Sequence, residues 1–377
     1  MRVIFAVLVV SVAVAARGDA PDNVAELATL RAQLAPYFHP PAEFAGDFGK
    51  YKSPLVFDDG RPVKTAEDWR LRRAEILKTW HTLMGPWPPL VEKPTIEYLE
   101  KESHDKYTQQ RIRVQVAPDR TSDDAYLLVP EGRGPFPAVI VVFYDGLSGL
   151  GGGRGAGKPY DFARQLVRHG FVALSFGSDP NTYYPNKEHA RLQPLSYNAY
   201  MAANLYNALA ELPSVDPKRV GITGLSYGGK WAMFASCLDE RFAAAVWFDP
   251  DVVFDEKRSF ANYWEPWYLG YQPDKERKKG MLSADSPRTG AYKQLVESGH
   301  DLHELHALMA PRPFLLSGGS EDKLDRWRAL NHSVAVNKLL GYENRVAMTS
   351  RETHAPTDGD NEIMAAFFEY FLKYGGK

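Results

Sequence analysis

The chain has 377 residues, of which 44% are hydrophobic and 24% charged, and its formal net charge at pH 7 is -2. This length and hydrophobic share allow one large buried core or two modest ones. The near-zero charge, with no long run of either sign, argues against a protein that attracts nucleic acid electrostatically. Because Cys237 is the single cysteine, the chain cannot form an internal disulfide.

The first twenty residues have the pattern of a secretory signal. A positive charge at Arg2 precedes an apolar stretch over residues 3–16, which is too short to span a bilayer comfortably. Small residues between 13 and 20 offer cleavage points. We therefore predict a signal peptide over residues 1–20 and a secreted or periplasmic protein without a membrane contact after cleavage. A retained membrane anchor is the alternative.

The stretch from residue 21 to 133 is predicted to be an N-terminal extension packed on a catalytic core formed by residues 134–377. Residues 21–60 hold prolines and aromatic residues without clear periodicity, which favours an extended lead-in. A helix is predicted from Thr65 to Leu83, with Thr65 as its N-cap. Alternating apolar and polar residues over 111–116 and 126–129 predict two antiparallel strands.

From residue 138 onward, apolar runs alternate with amphipathic segments. The predicted strands lie at residues 138–143, 172–176, 220–223, 243–248, 313–316 and 345–349. The predicted helices lie at residues 160–168, 196–212, 227–237, 327–340 and 361–373. Strands that alternate with helices predict an α/β fold with a mostly parallel sheet covered by helices on both faces.

Gly224-Leu225-Ser226-Tyr227-Gly228 matches the G-x-S-x-G nucleophile elbow and lies between a predicted strand and a predicted helix. The elbow exposes a serine hydroxyl on a strained turn, and the flanking glycines remove side chains that would collide there. The helix that follows directs its N-terminal N–H groups toward an anion formed beside the serine. Ser226 is therefore the predicted nucleophile.

A serine nucleophile needs a histidine base, and the chain order of this fold places that base after the acid. His354 follows the last predicted strand and precedes the final helix, so it is the predicted base. The other candidates precede a strand or lie on a helix, and they are His300, His303, His306 and His332.

Two aspartates compete for the role of the acid that orients the histidine. Asp322 follows the strand at 313–316, which is the usual position of this carboxylate. Asp249 ends the preceding strand and is able to reach the same histidine. Asp251 and Glu321 are further alternatives, and a loop cap is the structural explanation for any of them.

The predicted oxyanion hole consists of the backbone N–H of Tyr227 and a second N–H after the strand at 138–143, at Tyr144 or Asp145. The aromatic stretch 260–268 includes Trp264 and Glu265, which we predict as a platform for a sugar ring, with plain packing as the alternative.

Two further segments have charged or glycine-rich patterns. The charged cluster at 275–279 is predicted to be a solvated loop. Residues 152–158 nearly match the phosphate-binding loop motif, but Pro159 occupies the position at which Ser or Thr would bind magnesium. No metal-ligand spacing is convincing, and neither a metal nor a cofactor is predicted.

Two further stretches resemble the glucuronoyl esterase family of carbohydrate esterases, which are α/β-hydrolases. They are Trp69-Arg70-Leu71-Arg72-Arg73-Ala74-Glu75-Ile76 and residues 301–313, and the resemblance extends over roughly residues 55–375. The resemblance implies that Lys230 contacts sugar hydroxyls, and it favours Asp249 as the acid. The family has an arginine directly after the serine, whereas this chain has Tyr227. The pattern Gly-x-Ser-Tyr-Gly-Gly also resembles acetylxylan esterases and dienelactone-hydrolase-like proteins.

These patterns predict a serine carboxylic-ester hydrolase that acts on an esterified saccharide or another small ester through an acyl-enzyme. The first alternative is a deacetylase similar to acetylxylan esterases and dienelactone hydrolases. The second is a serine peptidase of the prolyl oligopeptidase type. No nucleic-acid partner is expected.

Overall fold

The computed structural model of the chain describes residues 21–178 and 192–376. The predicted signal peptide lies outside the described residues. Among the described helices, none is both long enough and apolar enough to cross a membrane.

The described strands all belong to one sheet. They are β1 Ile96–His104, β2 Tyr107–Ala117, β3 Arg120–Pro130, β4 Phe136–Phe143, β5 Val172–Gly177, β6 Val215–Leu225, β7 Ala244–Phe248, β8 Phe314–Gly318 and β9 Val346–Ser350. The described α-helices are α1 Pro21–Leu34, α2 Ala66–Met84, α3 Phe162–Arg168, α4 Pro194–Ala210, α5 Tyr227–Leu238, α6 Gly290–Glu297, α7 His303–Ala307, α8 Trp327–Leu339 and α9 Asp358–Phe368.

The strand order in the sheet is β1-β2-β3-β5-β4-β6-β7-β8-β9. The ladders from β1 through β3 to β5 are antiparallel, and every ladder from β5 to β9 is parallel. Parallel strands end at the same edge, so the loops after β4, β6, β7, β8 and β9 meet there. The predicted α/β-hydrolase architecture is confirmed.

Two hydrophobic clusters, one on each face of the sheet, form the core. In β4, Ile140 and Val142 join one cluster, whereas Val139 and Val141 join the other. This split follows from the alternation of side chains along a strand. The first cluster includes residues of α2, α4, α5, α7 and α8, and the second includes residues of α1, α3 and α9.

The N-cap predicted for α2 is confirmed. The Thr65 side chain accepts the N–H of Asp68, and the Asp68 carboxylate accepts the N–H of Thr65, which completes a capping box. This cap fixes the start of the helix that carries Trp69, Ile76 and Trp80 into the core.

The prediction of an extended lead-in over residues 21–60 is wrong at its start. Residues 21–34 form α1, and Leu30 and Leu34 are buried in the cluster shared with α9. Their spacing of four residues puts both on one helical face. In so short a segment this helical periodicity of apolar residues is only weakly visible in the sequence.

The strand β1 was not predicted because charged residues dominate it. It pairs only with β2 and lies at the edge of the sheet, where charged side chains discourage pairing with another chain. Since β1 to β3 continue the same sheet through the β3–β5 ladder, the extension contributes strands to the core, and the division at residue 133 stays a prediction.

Candidate active site

Ser226 lies between the last residue of β6 and the first of α5, with φ 58° and ψ -114°. A non-glycine residue at positive φ is uncommon, and such strain is typical of a nucleophile elbow. The Ser226 N–H donates to the Phe248 carbonyl at 2.9 Å, which ties the elbow to β7. The half-buried serine is therefore held at the carboxyl edge of the sheet.

The glycines of the elbow are required by close backbone contacts. A Cβ at Gly228 would lie 2.0 Å from the Val142 carbonyl oxygen, and one at Gly224 would lie 2.5 Å from the Gly228 carbonyl carbon. Only residues without a side chain allow α5 to approach β4 and β6 this closely.

Replacing Gly228 with alanine is expected to push α5 away from β4, because backbone atoms cannot yield as a flexible side chain does. We expect a loss of at least about 2 kcal/mol in the free energy of unfolding, measured by chemical denaturation, together with a large loss of esterase activity. The matched control is Gly359→Ala, near the start of α9, where the nearest atom to an added Cβ is 3.7 Å away. If both variants were equally stable and active, the close packing of the elbow would be unnecessary.

Asp249 follows β7 directly and lies beside the elbow, because β7 pairs with β6 and places Phe248 opposite Leu225. The carboxylate is fully buried. Its Oδ2 lies 2.7 Å from His354 Nδ1, and its Oδ1 accepts the N–H groups of Gly319 at 2.6 Å and Asp322 at 2.8 Å. These contacts bring the loops after β7, β8 and β9 together next to Ser226.

Asp249 keeps its charge despite its burial. Burial raises the pKa of its carboxyl group, but the hydrogen bonds with His354 and with the Asp322 N–H outweigh this effect and leave the pKa below its usual value. An ionised carboxylate at Nδ1 holds the proton on that nitrogen and leaves Nε2 as the acceptor.

Asp322 does not contact the imidazole in the described structure. Its carboxylate accepts the N–H groups of Asp251 at 2.7 Å and Val252 at 2.9 Å, and Arg326 Nε lies 3.3 Å away. The expectation that Asp322 orients His354 is thus not met by the geometry. The buried side chain instead fixes the loop that follows Asp249, which is the loop-cap role weighed as the alternative.

Glu321 is a second carboxylate at the same ring nitrogen. Its Oε1 lies 3.2 Å from His354 Nδ1, and its side chain is nearly buried. Burial is the main cause that raises the pKa of Glu321, and the neighbouring Asp251 adds to it. His354 therefore faces two carboxyl groups whose pKa values are shifted in opposite directions.

The backbone of the His354 loop is anchored by an arginine that the sequence did not single out. Arg351 donates from Nη2 to the His354 carbonyl at 2.7 Å and from Nε to the Ala355 carbonyl at 3.0 Å. Between the Ser226 hydroxyl and the imidazole, the described residues make no hydrogen bond, and such bonds often tighten only when substrate binds.

The Tyr227 side chain points into the protein, where it is 1% exposed. Its hydroxyl accepts Asn198 Nδ2 at 2.7 Å, and its ring stacks on Tyr144 with centroids 4.8 Å apart. The guanidinium carbon of the exposed Arg154 lies 4.9 Å from the ring centroid of Tyr144. The oxyanion roles of the Tyr227 and Tyr144 N–H groups stay predictions.

Lys230 is buried rather than presented to a ligand. It is 2% exposed, and Nζ donates to the Pro250 carbonyl at 2.5 Å and lies 4.4 Å from the ring centroid of Tyr263. Because the ammonium is buried and donates to the Pro250 carbonyl, its contact with sugar hydroxyls stays a prediction.

The prediction that Trp264 and Glu265 form an exposed sugar platform does not match their placement. They are 1% and 3% exposed. Trp264 Nε1 donates to the Gly280 carbonyl at 3.0 Å, and Glu265 pairs with Arg277 at 3.0 Å. Packing, the alternative, accounts for both. Their neighbour Trp267 is half-buried and has the exposed Lys279 ammonium 5.1 Å from its ring centroid.

The ligand-type atoms of Asp249, Glu321 and His354 lie within 4.8 Å of one another, and in the described part of the chain this is the one group with such spacing. His354 Nδ1, however, is bonded directly to Asp249. The arrangement matches an imidazole held by carboxyl groups, so we do not assign these side chains as metal ligands.

The chain is similar to several known proteins. Residues 195–341 match the family profile described as "Glucuronyl esterase, fungi". A 4-O-methyl-glucuronoyl methylesterase of Neurospora crassa is 24% identical over 354 residues, which cover 87% of this chain and 83% of the relative. One of Thermothelomyces thermophilus is 26% identical over 219 residues, or 52% of this chain. That alignment spans about half of the relative, 48% of its length.

A solved structure, the glucuronoyl esterase from Solibacter usitatus, has a TM-score of 0.66 and 18% identity, and the match covers 88% of this chain and 98% of that one. At this identity the match establishes the fold. The chain has an α/β-hydrolase fold and resembles glucuronoyl esterases, as the sequence patterns predicted.

Proposed function

We propose that the protein is a serine carboxylic-ester hydrolase that acts on esterified carbohydrate, with esters of glucuronic acid as the favoured class. The observation that carries the proposal is the 2.7 Å contact between His354 and Asp249 beside the strained Ser226 elbow. The names of the similar proteins, which are glucuronoyl methylesterases, support the substrate class.

The reaction begins when Ser226 Oγ attacks the ester carbonyl carbon while His354 Nε2 accepts the hydroxyl proton. The carbonyl oxygen becomes an oxyanion, which the Tyr227 N–H and an N–H of the loop after β4 stabilise. When this intermediate collapses, the bond to the alcohol oxygen breaks and His354 returns the proton to the departing alcohol. An acyl-enzyme on Ser226 remains.

Water completes the cycle. It attacks the acyl carbon while His354 again accepts a proton, and collapse of the second intermediate breaks the bond to Ser226 Oγ. His354 protonates the serine, and the free carboxylic acid leaves. Throughout, Asp249 holds the ring orientation and stabilises the imidazolium that forms twice.

Substrate class is tested with a panel of esters on the purified protein. We expect hydrolysis of methyl and benzyl glucuronate esters at a kcat/KM well above that for acetylated xylan. Hydrolysis of acetyl groups alone would replace the glucuronoyl proposal with the deacetylase alternative. Cleavage of proline-containing chromogenic peptides without ester hydrolysis would favour the peptidase alternative.

For localisation, we infer export from the signal-like pattern of residues 1–20. N-terminal sequencing of protein recovered outside the cytoplasm should find a start between residues 17 and 21. Recovery of the full chain with the cells would contradict cleavage.

A further inference from the structure

A carboxyl group next to the site, that of Asp251, lacks donors in the structure. The residue is fully buried at φ 58°, and neither carboxylate oxygen has a hydrogen-bond partner among the described groups. A buried carboxylate without a donor is costly, by several kcal/mol for a full charge. The structure therefore requires an explanation for this side chain.

The nearby cations do not supply the missing donors. Lys230 Nζ and Arg258 Nη1 each lie 3.7 Å from an Asp251 oxygen, beyond hydrogen-bond distance. Lys230 donates to the carbonyls of Pro250 and Phe260. Arg258 donates to the carbonyls of Ser320 and Glu321. Both cations stabilise negative charge here without binding the Asp251 oxygens.

Among the described residues, the side chain of Glu321 is a further polar neighbour that lies within hydrogen-bond reach of Asp251. Two carboxylates repel each other and cannot form a hydrogen bond, whereas a carboxylic acid and a carboxylate form a strong one. A single proton between them satisfies Asp251 and removes a charge from Glu321.

We propose that Asp251 and Glu321 share one proton, and that Asp251 thereby acts as a positioning residue that keeps Glu321 uncharged beside His354. With Glu321 neutral at 3.2 Å from Nδ1, the ring faces one full negative charge, that of Asp249. If Glu321 were ionised, two charges would stabilise the imidazolium, and His354 would keep its Nε2 proton to higher pH. His354 would then be unable to accept the Ser226 proton until the pH was higher.

Other charged groups face this pair from each surrounding element. The cations are Lys230 on α5, Arg258 after β7 and Arg326 after β8. The acids are Asp249 and Asp322, and the phenols are Tyr144, Tyr263 and Tyr268. The cations stabilise one negative charge on the pair. A second proton, which would neutralise that charge, is therefore unfavourable.

The test compares pH profiles of kcat/KM on any ester that the wild type hydrolyses. Glu321→Gln keeps a neutral group at His354, so its acid limb should coincide with that of the wild type. Asp251→Asn removes the proton-sharing partner and with it one cause of the raised Glu321 pKa, so Glu321 should ionise at lower pH and the acid limb should move to higher pH by about one unit. Asp251→Asn combined with Glu321→Gln should return the limb to its original position.

An acid limb that moves to lower pH in Glu321→Gln would overturn the proposal, because it would mean that Glu321 is ionised in the wild type. Infrared difference spectra of wild type and Glu321→Gln provide a readout independent of activity. The wild-type spectrum should contain a carboxylic-acid carbonyl band of Glu321 that the Glu321→Gln spectrum lacks. If the two spectra showed no such difference, the shared proton would also be refuted. Since this measurement needs no substrate, its failure is distinct from a failure of the proposed function.

Discussion

Replacing Ser226 with alanine is expected to reduce kcat/KM for ester hydrolysis by a factor of about 10⁶, the loss typical of removing the nucleophile from a working triad. The reason is that no acyl-enzyme can form, while the elbow and the remaining groups stay in place. The residual rate should come from the oxyanion donors and substrate binding alone. The measurement is steady-state hydrolysis of the best ester in the panel, at an enzyme concentration high enough to detect the residual rate.

The matched control is Ser350→Ala. Ser350 is an exposed serine at the carboxyl end of β9, on the same edge of the sheet as Ser226, and its removal should leave activity within a factor of two or so of wild type. A fluorophosphonate probe adds a direct readout, since only an activated serine reacts. We expect one label per wild-type molecule and none on Ser226→Ala, and full labelling of the variant would locate the nucleophile elsewhere.

Ser226 could be proposed as the nucleophile from sequence because the elbow pattern is local. The spacing of Gly224, Ser226 and Gly228 reflects backbone contacts within a few residues and with the adjacent strand. His354 could be selected by chain order, because the fold places the base on the loop after the last strand. The first inference depends on local backbone geometry, and the second depends on the order of the elements in the fold.

The acid could not be decided in the same way. Asp249 and Asp322 both follow a parallel strand, and both carboxylates are fully buried. They differ in the backbone N–H groups that each carboxylate accepts. Asp322 accepts from the loop of Asp251, whereas Asp249 accepts from the loop after β8 and its Oδ2 also contacts the imidazole. That choice depends on loop conformations fixed by the whole fold.

The irregular segment between β7 and α6 shows the same limit. Its aromatic residues and the charged cluster at 275–279 suggested an exposed platform and a solvated loop. In the structure, Arg277 is 6% exposed and pairs with Glu265, whereas the other residues of the cluster, 275, 276, 278 and 279, are exposed as predicted. Without helical or strand periodicity, sequence provides no way to distinguish an inward from an outward side chain.

Replacing Asp249 with asparagine is expected to lower kcat by a factor of about 10⁴ at neutral pH, because an amide neither stabilises the imidazolium nor enforces the tautomer with a free Nε2. The variant should also be less stable. Since the pKa of Asp249 is depressed in the folded protein, its charged form contributes stability above the unfolded-state value and loses it as the pH falls through the lower folded-state value. The difference in unfolding free energy between the two proteins should therefore narrow below about pH 4.

Asp322→Asn is the matched control for this prediction, since it alters an equally buried aspartate on the adjacent loop. We expect it to reduce stability, because its carboxylate holds two backbone N–H groups, while the folded fraction keeps most of its kcat. The reverse pattern, with Asp322→Asn inactive and Asp249→Asn active, would make Asp322 the acid.

A modest loss in Asp249→Asn has a specific explanation, because Glu321 also lies at His354 Nδ1. Without the charge of Asp249, burial still disfavours ionisation of Glu321, but one of its repelling neighbours is gone. Glu321 would then be able to release its proton and orient the ring in place of Asp249. Adding Glu321→Gln to Asp249→Asn should abolish any such residual activity, whereas Glu321→Gln alone should not. A double variant as active as Asp249→Asn would show that Glu321 does not replace Asp249 at the histidine.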